Sequence, residues 1–440
     1  MKPLLIKNKF VPRGKVIICG DKSIAHRALI LSALSSGKTI LKNFPIHDDS
    51  YATMSALGAL GVKILRKRHN QVLVFGKGLR GLVSCRKPVF VGDSGTTLRL
   101  LLGVLAGQDF KTKVIAGKSL SLRPMARVSL PLRLMGAKIS SKVKGNEEYA
   151  PITIQGGSLK GIIYRLPVSS AQVKSAILLA GLFAKGRTCV IEKTATRDHT
   201  ERMLRIFGAD LITKGKSVYL NPGKDLTSPG EIYIPADISS AAFFLVLALV
   251  IPGSRITIRR IGLNPGRCGL IDVLKRMQAK IKVSYSKGNK TQCAEPVGDL
   301  SVCASKLKGR VVYPDEVPSL IDELPILMVA ACFAQGITII KGAQELKVKE
   351  TDRIKSMVSN LKKMGADIKV DKLSSDESII IKGKGRLSGA NLKSFGDHRT
   401  AMSVVIAALA AAGESRIDDI SCISKSFPGF LTVLNGLSRS

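Results

Sequence analysis

The chain has 440 residues, 45% hydrophobic and 5% aromatic, and its 69 Lys and Arg against 32 Asp and Glu give a formal net charge of +37. That length and apolar content exclude a disordered chain and predict two or three globular domains with sizeable cores. The charge raises nucleic-acid binding as a function class, yet the basic residues are spread along the chain and no tryptophan is present to stack on bases, so that class is disfavoured.

The first segment, Met1-Lys2-Pro3-Leu4-Leu5-Ile6-Lys7, has no apolar stretch long enough for a signal peptide, which predicts a cytoplasmic protein. A polar turn then opens an Ala/Leu-rich helix at Gly20-Asp21, and the pattern returns at Gly92-Asp93, Pro167-Val168-Ser169, Ala236-Asp237, Ile321-Asp322 and Gly396-Asp397. The matching helix ends are Gly37, Gly107, Gly186, Gly253, Gly336 and Gly413, about 67 to 83 residues apart, the mark of one supersecondary unit copied six times.

Each closing glycine leads into a β-rich run: Thr39-Ile40-Leu41, Lys113-Val114-Ile115, Thr188-Cys189-Val190-Ile191, Arg255-Ile256-Thr257-Ile258, Ile337-Thr338-Ile339-Ile340 and Ser415-Arg416-Ile417. A second helix follows and ends in a related phrase, as in Leu60-Gly61-Val62, Met135-Gly136-Ala137, Phe207-Gly208-Ala209 and Met364-Gly365-Ala366, where glycine marks a helix C-cap. Met277-Gln278-Ala279 is a degenerate copy and Leu434-Asn435-Gly436 a truncated one. Helices alternating with strands predict an α/β protein whose helices cross between strands of one sheet. The first helices, such as Ala241 to Val250 and Thr400 to Ala412, are apolar nearly all round and are expected to be buried.

The longest apolar run, Ile238 to Gly253, is too short to span a bilayer, so no membrane partner is expected. The cysteines at 19, 85, 189, 268, 293, 303, 332 and 422 form no CxxC pair and the histidines no HExxH pattern. They are expected to be small buried hydrophobes, with no disulfide framework and no metal site.

Helix starts favour anions through their exposed N–H groups, and several here also carry cations. Lys22, Ser23 and Arg27 stand at the first, Arg99 follows the second, Ser170, Gln172 and Lys174 lie at the third and Arg399 at the sixth. Gathered at one cleft, these starts would form a trap for small polyanions.

The most distinctive phrase is Lys349-Glu350-Thr351-Asp352-Arg353, with Asp322-Glu323-Leu324-Pro325 before it and Gly396-Asp397-His398-Arg399 after it. With Asp21-Lys22-Ser23-Ile24-Ala25-His26-Arg27, Gly92-Asp93-Ser94-Gly95-Thr96-Thr97-Leu98-Arg99 and Leu122-Arg123-Pro124-Met125, the ordered set closely resembles the enolpyruvyl transferase family, in its branch that acts on shikimate 3-phosphate. The resemblance implies a two-domain fold of six βαβαββ repeats, three per domain, with buried parallel helices. It implies one domain of residues 21–236, another of residues 1–20 plus 237–440, and an active site in the cleft between them. It also implies a monomer that uses no metal or organic cofactor.

The implied reaction moves the enolpyruvyl group of phosphoenolpyruvate to the 5-hydroxyl of shikimate 3-phosphate and releases phosphate. Both substrates are anionic, so Arg forks and Lys point charges suit them. By resemblance, Lys22, Gly95, Arg123, Gln172, Arg353, Arg399 and Lys425 hold phosphoenolpyruvate. Lys22, Ser23, Arg27, Ser169, Ser170, Ala171, Gln172, Arg197, Asp322 and Lys349 hold shikimate 3-phosphate. Asp322 is the expected base at the 5-hydroxyl, while Lys22 and Glu350 exchange the proton at the methylene carbon, a role for which Glu350 needs a pKa tuned by burial. Gly95 leaves the pocket open, which implies sensitivity to glyphosate, the family's phosphoenolpyruvate-competitive inhibitor.

Plainer roles compete with these. Asp21, Ser23, Asp322 and Asp397 are also suited to capping helices, and the residues from Lys349 to Arg353 to forming an exposed charged helix face. Asp93 stands where asparagine is common in the family, and a carboxylate there is expected to repel anionic substrates unless it meets a nearby cation. The other activities weighed are enolpyruvyl transfer to a UDP-amino sugar, disfavoured because the loop from Gly117 to Pro124 lacks the cysteine of that branch, and nucleic-acid binding on the same repeat.

Overall fold

The computed structural model describes residues 3–7, 10–286, 295–371 and 377–437. The chain folds as two units. Among the described residues, the N-unit comprises residues 20–235 with Glu295, and the C-unit comprises all the others.

The long first helices are α1 (Lys22–Leu34), α2 (Gly95–Ala106) and α3 (Ala171–Gly181) in the N-unit, and α4 (Ile238–Val250), α5 (Leu324–Phe333) and α6 (His398–Ala410) in the C-unit. They are buried on nearly every face, as their lack of polar periodicity predicts: every residue of α4 from Ile238 to Leu249 and of α6 from His398 to Leu409 is buried. Each unit closes over its own apolar core. In the C-unit, Phe243, Phe244, Phe427 and Phe430 meet with ring centroids 5.7 to 6.1 Å apart.

Three helix openings lie slightly later than the sequence suggested. Ser94, Ser170 and Glu323 are the N-caps of α2, α3 and α5, in place of Asp93, Ser169 and Asp322. At α2 the reason is competition: Ser94 accepts from the Thr97 amide, while the Asp93 carboxylate is taken by the Leu120 amide at 2.9 Å. Five closing glycines, Gly37, Gly186, Gly253, Gly336 and Gly413, adopt left-handed φ values of 79° to 86°. Gly107 ends α2 at φ −92° instead, and a Cβ there would lie 2.0 Å from the Phe183 ring, so close packing explains this glycine.

The repeat is plain in the sheets. In the N-unit the four-stranded orders are Glu231–Tyr233, Lys38–Lys42, Gln71–Phe75, Ile64–Lys67; then Val89–Phe90, Lys111–Ile115, Glu147–Gln155, Lys138–Lys144; then Ile163–Arg165, Thr188–Ile191, Ser217–Asn221, Asp210–Lys214. In each, the first pair is parallel and the others antiparallel. The C-unit repeats this with Arg13–Val16, Arg255–Gly262, Val297–Cys303, Lys280–Tyr285 and with Val311–Val312, Gln335–Lys341, Ser378–Lys384, Asp367–Asp371. Its third sheet has three strands, Leu4–Ile6, Ser415–Ile417 and Asn391–Leu392. Leu4–Ile6 pairs antiparallel with Ser415–Ile417, so the start of the chain supplies a strand that the truncated last repeat lacks.

Among the described residues, no helix is long and apolar enough to cross a membrane, and no cluster of His, Cys, Asp and Glu is arranged to hold a metal ion. Cys293 lies outside the described residues. Of the other cysteines, Cys189, Cys332 and Cys422 are buried as expected, whereas Cys19, Cys85, Cys268 and Cys303 are half-buried.

Candidate active site

The expected site residues of the N-unit sit at the starts of its three long helices. Asp21 caps α1 by accepting from the Ile24 amide at 2.9 Å, which leaves Lys22 and Ser23 in the first helical turn. Lys22 forms an ion pair with Asp49, from the following helix Asp48–Ala59. Arg27 points inward: its Nε donates to Thr200 Oγ1 at 2.6 Å, one terminal nitrogen to the Ser23 carbonyl at 2.8 Å, and the other to Ser175 Oγ at 2.8 Å. It is only 4% exposed, so besides its expected substrate contact it ties α1 to α3 and to the helix His199–Ile206.

His26, beside these residues, is wholly buried, with Nδ1 2.6 Å from Thr53 Oγ1. Thr53 meets Thr97 at 2.6 Å, and Thr97 donates to Ser94 at 2.7 Å, so a chain of hydroxyls links α1 to the start of α2. Burial, reinforced by the Lys22 charge, pushes His26 well below the ordinary histidine range and His47 down to about 3. His26 is thus a buried, hydrogen-bonded link between α1 and the following helix.

Two guanidinium groups converge on Gly95. A Cβ on this residue would lie 3.0 Å from one terminal nitrogen of Arg123 and 3.5 Å from one of Arg99. Both cations therefore crowd the start of α2, where the helix dipole adds further positive potential. Arg99 also donates to Gln172 Oε1 at 2.6 Å, and Gln172 Nε2 donates to Thr96 Oγ1 at 2.9 Å, so the α3 amide is locked to the start of α2. Asp93 anchors the loop that carries Arg123 by accepting from the Leu120 amide, a neutral backbone partner rather than the expected cation.

Ser169 and Ser170 both accept backbone hydrogen bonds, from Thr194 at 3.2 Å and Val173 at 3.4 Å respectively. An accepting hydroxyl still has its own proton to donate, so both remain suited to an anion. Ala171 is the first residue of α3 and Arg197 lies just before the helix His199–Ile206. Lys174 faces the interior rather than the helix start; it is 1% exposed and paired with Glu192 and Glu201.

In the C-unit, Arg353 is the organising residue. It is 2% exposed, which excludes the plain reading of an exposed charged face, and Asp352 beside it caps the helix Arg353–Lys363. Its Nε donates to Asp397 at 2.9 Å, one terminal nitrogen to Asp322 at 3.4 Å, and the other to Glu350. Asp322 is thus a partner of Arg353 and not the α5 cap. Asp397 is both: its Oδ1 accepts from the Arg399 and Thr400 amides at 2.8 and 3.0 Å while its Oδ2 faces Arg353. Glu350 was expected to owe its acidity to burial, but it is only half-buried and ion-paired, so its environment is set by a guanidinium rather than by apolar walls. Arg399 lies in the first turn of α6, Lys425 donates to the Gly396 carbonyl at 3.3 Å, and Lys349 follows the short helix Gln344–Val348.

Sequence reasoning assigned Asp397 only a cap, and it missed Thr200 and Ser175 as partners of Arg27. It also missed a second buried cluster, in which Arg267 pairs with Asp237 at 3.3 Å and also donates to Ser239, which in turn donates to Glu323. Asp237 and Asp397 open equivalent repeats, and that equivalence was the available signal.

A fold of repeated βαβαββ units whose helix starts present lysine and arginine defines the enolpyruvyl transferase class. Residues 11–434 match the family model of EPSP synthase (3-phosphoshikimate 1-carboxyvinyltransferase). A 3-phosphoshikimate 1-carboxyvinyltransferase of Shouchella clausii is 46% identical over 424 residues, covering 96% of each chain. One from a Geobacter species is 46% identical over 425 residues, covering 97% of this chain and 96% of its own. The structure of an EPSP synthase from Acinetobacter baumannii superimposes with a TM-score of 0.86 at 40% identity, covering 99% of this chain and 98% of the other. The chain belongs to the EPSP synthase family.

Proposed function

We propose that Lys22, Asp322 and Glu350 carry the proton transfers of this carboxyvinyltransferase, and that guanidinium groups at helix starts hold its substrates. The chain transfers the enolpyruvyl group of phosphoenolpyruvate to the 5-hydroxyl of shikimate 3-phosphate and releases phosphate. The observation that carries the site assignment is the convergence of Arg123 and Arg99 on the bare Cα of Gly95, a compact cationic seat at a helix start that fits the small dianionic head of phosphoenolpyruvate.

In the addition step the 5-hydroxyl oxygen bonds to C2 of phosphoenolpyruvate, its proton passes to Asp322, and the methylene carbon takes a proton from Lys22 or Glu350. Elimination then breaks the bond to the phosphate oxygen, returns a proton from the new methyl group and leaves the enol ether. Arg353 keeps Asp322 and Glu350 in fixed positions for these transfers. Arg399 and Lys425 complete the phosphoenolpyruvate contacts, and Ser23, Arg27, Ser169, Ser170, the Ala171 backbone, Gln172, Arg197 and Lys349 those of shikimate 3-phosphate. These assignments fall in both units, so turnover requires both, and the protein works as a cytoplasmic monomer.

The test is phosphate release from phosphoenolpyruvate with and without shikimate 3-phosphate, beside an Asp322→Ala variant. Release that needs both substrates and falls by about two orders of magnitude in the variant fits a lost general base. An undiminished rate removes Asp322 from that role.

A further inference from the structure

We propose that the buried Lys174–Glu192 ion pair is a positioning device for shikimate 3-phosphate, setting the turn from Glu192 to Arg197 against the start of α3. The inference rests on the assignment of Ser169, Ser170 and Arg197 to that substrate.

Lys174 lies one turn along α3 from Ser170. Its ammonium is 2.9 Å from Glu192 Oε2 and 2.6 Å from Glu201 Oε1, and all three side chains are at least nine-tenths buried. Burial alone would lower the Lys174 pKa, but the two carboxylates outweigh it and hold the group above its ordinary range, so the lysine stays charged. Glu192 follows the strand Thr188–Ile191 and has a second task. Its Oε1 accepts from the Thr196 amide at 3.1 Å and from the Thr196 hydroxyl, which closes the turn immediately before Arg197. Within the same turn the Thr194 amide donates to Ser169 Oγ at 3.2 Å.

One carboxylate thus joins a lysine on α3 to the backbone that presents Arg197, and the turn it shapes reaches back to Ser169. The Glu201 contact fixes the helix on the far side of Arg197. Burying charged groups is costly, and burial pushes the Glu201 carboxyl above its ordinary range despite Lys174 beside it; a purely cohesive contact at this place would be served as well by apolar side chains. The ion pair supplies directional fixation of a loop residue by a rigid helix, as an anionic ligand requires.

The experiment compares Glu192→Gln with Arg197→Ala in the full-length protein, with steady-state kinetics varied in each substrate and a thermal melt for each variant. The glutamine can still accept from Thr196 but turns an amide donor toward Lys174, so the turn loosens without losing its shape. The expected result is a KM for shikimate 3-phosphate raised about tenfold, with kcat and the KM for phosphoenolpyruvate changed by less than about twofold. A cohesive role alone would instead lower the melting temperature and leave both KM values together. If Arg197→Ala raises the KM for shikimate 3-phosphate while folded Glu192→Gln does not, the positioning role is overturned and the site assignment stands. If Arg197→Ala leaves that KM unchanged, the assignment itself falls and takes the proposal with it. Should Glu192→Gln fail to fold, Thr196→Val decides: it removes only the hydroxyl contact, a rise of about two- to threefold in the same KM is expected, and an unchanged KM overturns the proposal.

Discussion

At Gly95 a single hydrogen atom in place of a methyl group lets Arg123 approach the start of α2, because an alanine Cβ would stand 3.0 Å from its terminal nitrogen and 3.4 Å from its central carbon. Those contacts are tighter than side chains normally make, so Arg123 must give way by a few tenths of an ångström. In Gly95→Ala we expect the KM for phosphoenolpyruvate to rise about tenfold with shikimate 3-phosphate affinity retained, because misplacing one member of a clamp costs orientation. Glyphosate, as a competitor for the same pocket, should inhibit the variant less than the parent; equal inhibition constants would count against Arg123 as the shared contact. Behind the same loop, Glu148 binds Arg133 through both oxygens at 2.6 and 2.9 Å and accepts from Ser129 and Ser141. The Arg133 hydrogen bonds lead in pulling its pKa from the ordinary 4.5 down to about 2. A depressed carboxylate pKa adds stability that is complete above the unfolded value and lost as pH falls through the folded one. Glu148→Gln should therefore cost on the order of 2–3 kcal/mol at neutral pH, with the difference from the parent narrowing as pH falls from about 4.5 toward 2. Denaturant unfolding at a series of pH values measures it, and a gap independent of pH would show that the carboxylate's charge is not what matters.

At the scale of the element, one degenerate repeat reveals a conformational rule. The second helices of four repeats end at Gly61, Gly136, Gly208 and Gly365, all with φ between 84° and 113°. In the fourth repeat Gln278 stands in that place, between the helix Gly269–Arg276 and the strand Lys280–Tyr285, and still takes φ +69°. A residue with a Cβ is disfavoured there by about 1–2 kcal/mol. Gln278→Gly is expected to stabilise the protein by about 1 kcal/mol after the added freedom of the unfolded chain is counted, read as a shift of the urea midpoint at unchanged slope. Much of the fold was legible for the same reason: period, caps and closing glycines are local signals, and they located all six β-runs that follow the long helices. What local signals do not carry is which distant strand completes a sheet. Leu4–Ile6 beside Ser415–Ile417, and Glu231–Tyr233 beside Lys38–Lys42, are pairings made by tertiary closure.

Across the whole molecule, charge was easy to count and hard to assign. The sequence pointed to Lys22, Arg27 and Lys174 alike as cations at helix starts and, by resemblance, to Arg353 as a phosphoenolpyruvate ligand, but their environments separate them. Arg27, Lys174 and Arg353 are buried and hold their own chain together, whereas Lys22 keeps a partly exposed ammonium. Spacing on a helix cannot distinguish these cases, because the deciding partners, Thr200, Glu192 and Asp397, are set by packing between elements. The net charge of +37 is far larger than the few cations that such a site uses. A surface field of that sign draws anionic substrates inward and raises their encounter rate, an effect that falls steeply as salt screens it. Raising sodium chloride from about 20 to 500 mM should then lower kcat/KM for both substrates by about tenfold while kcat changes by less than about twofold. Stopped-flow binding of shikimate 3-phosphate should assign the loss to the association rate. A loss confined to the dissociation rate would mean that salt acts on the bound contacts, and the surplus charge would then have no part in capture.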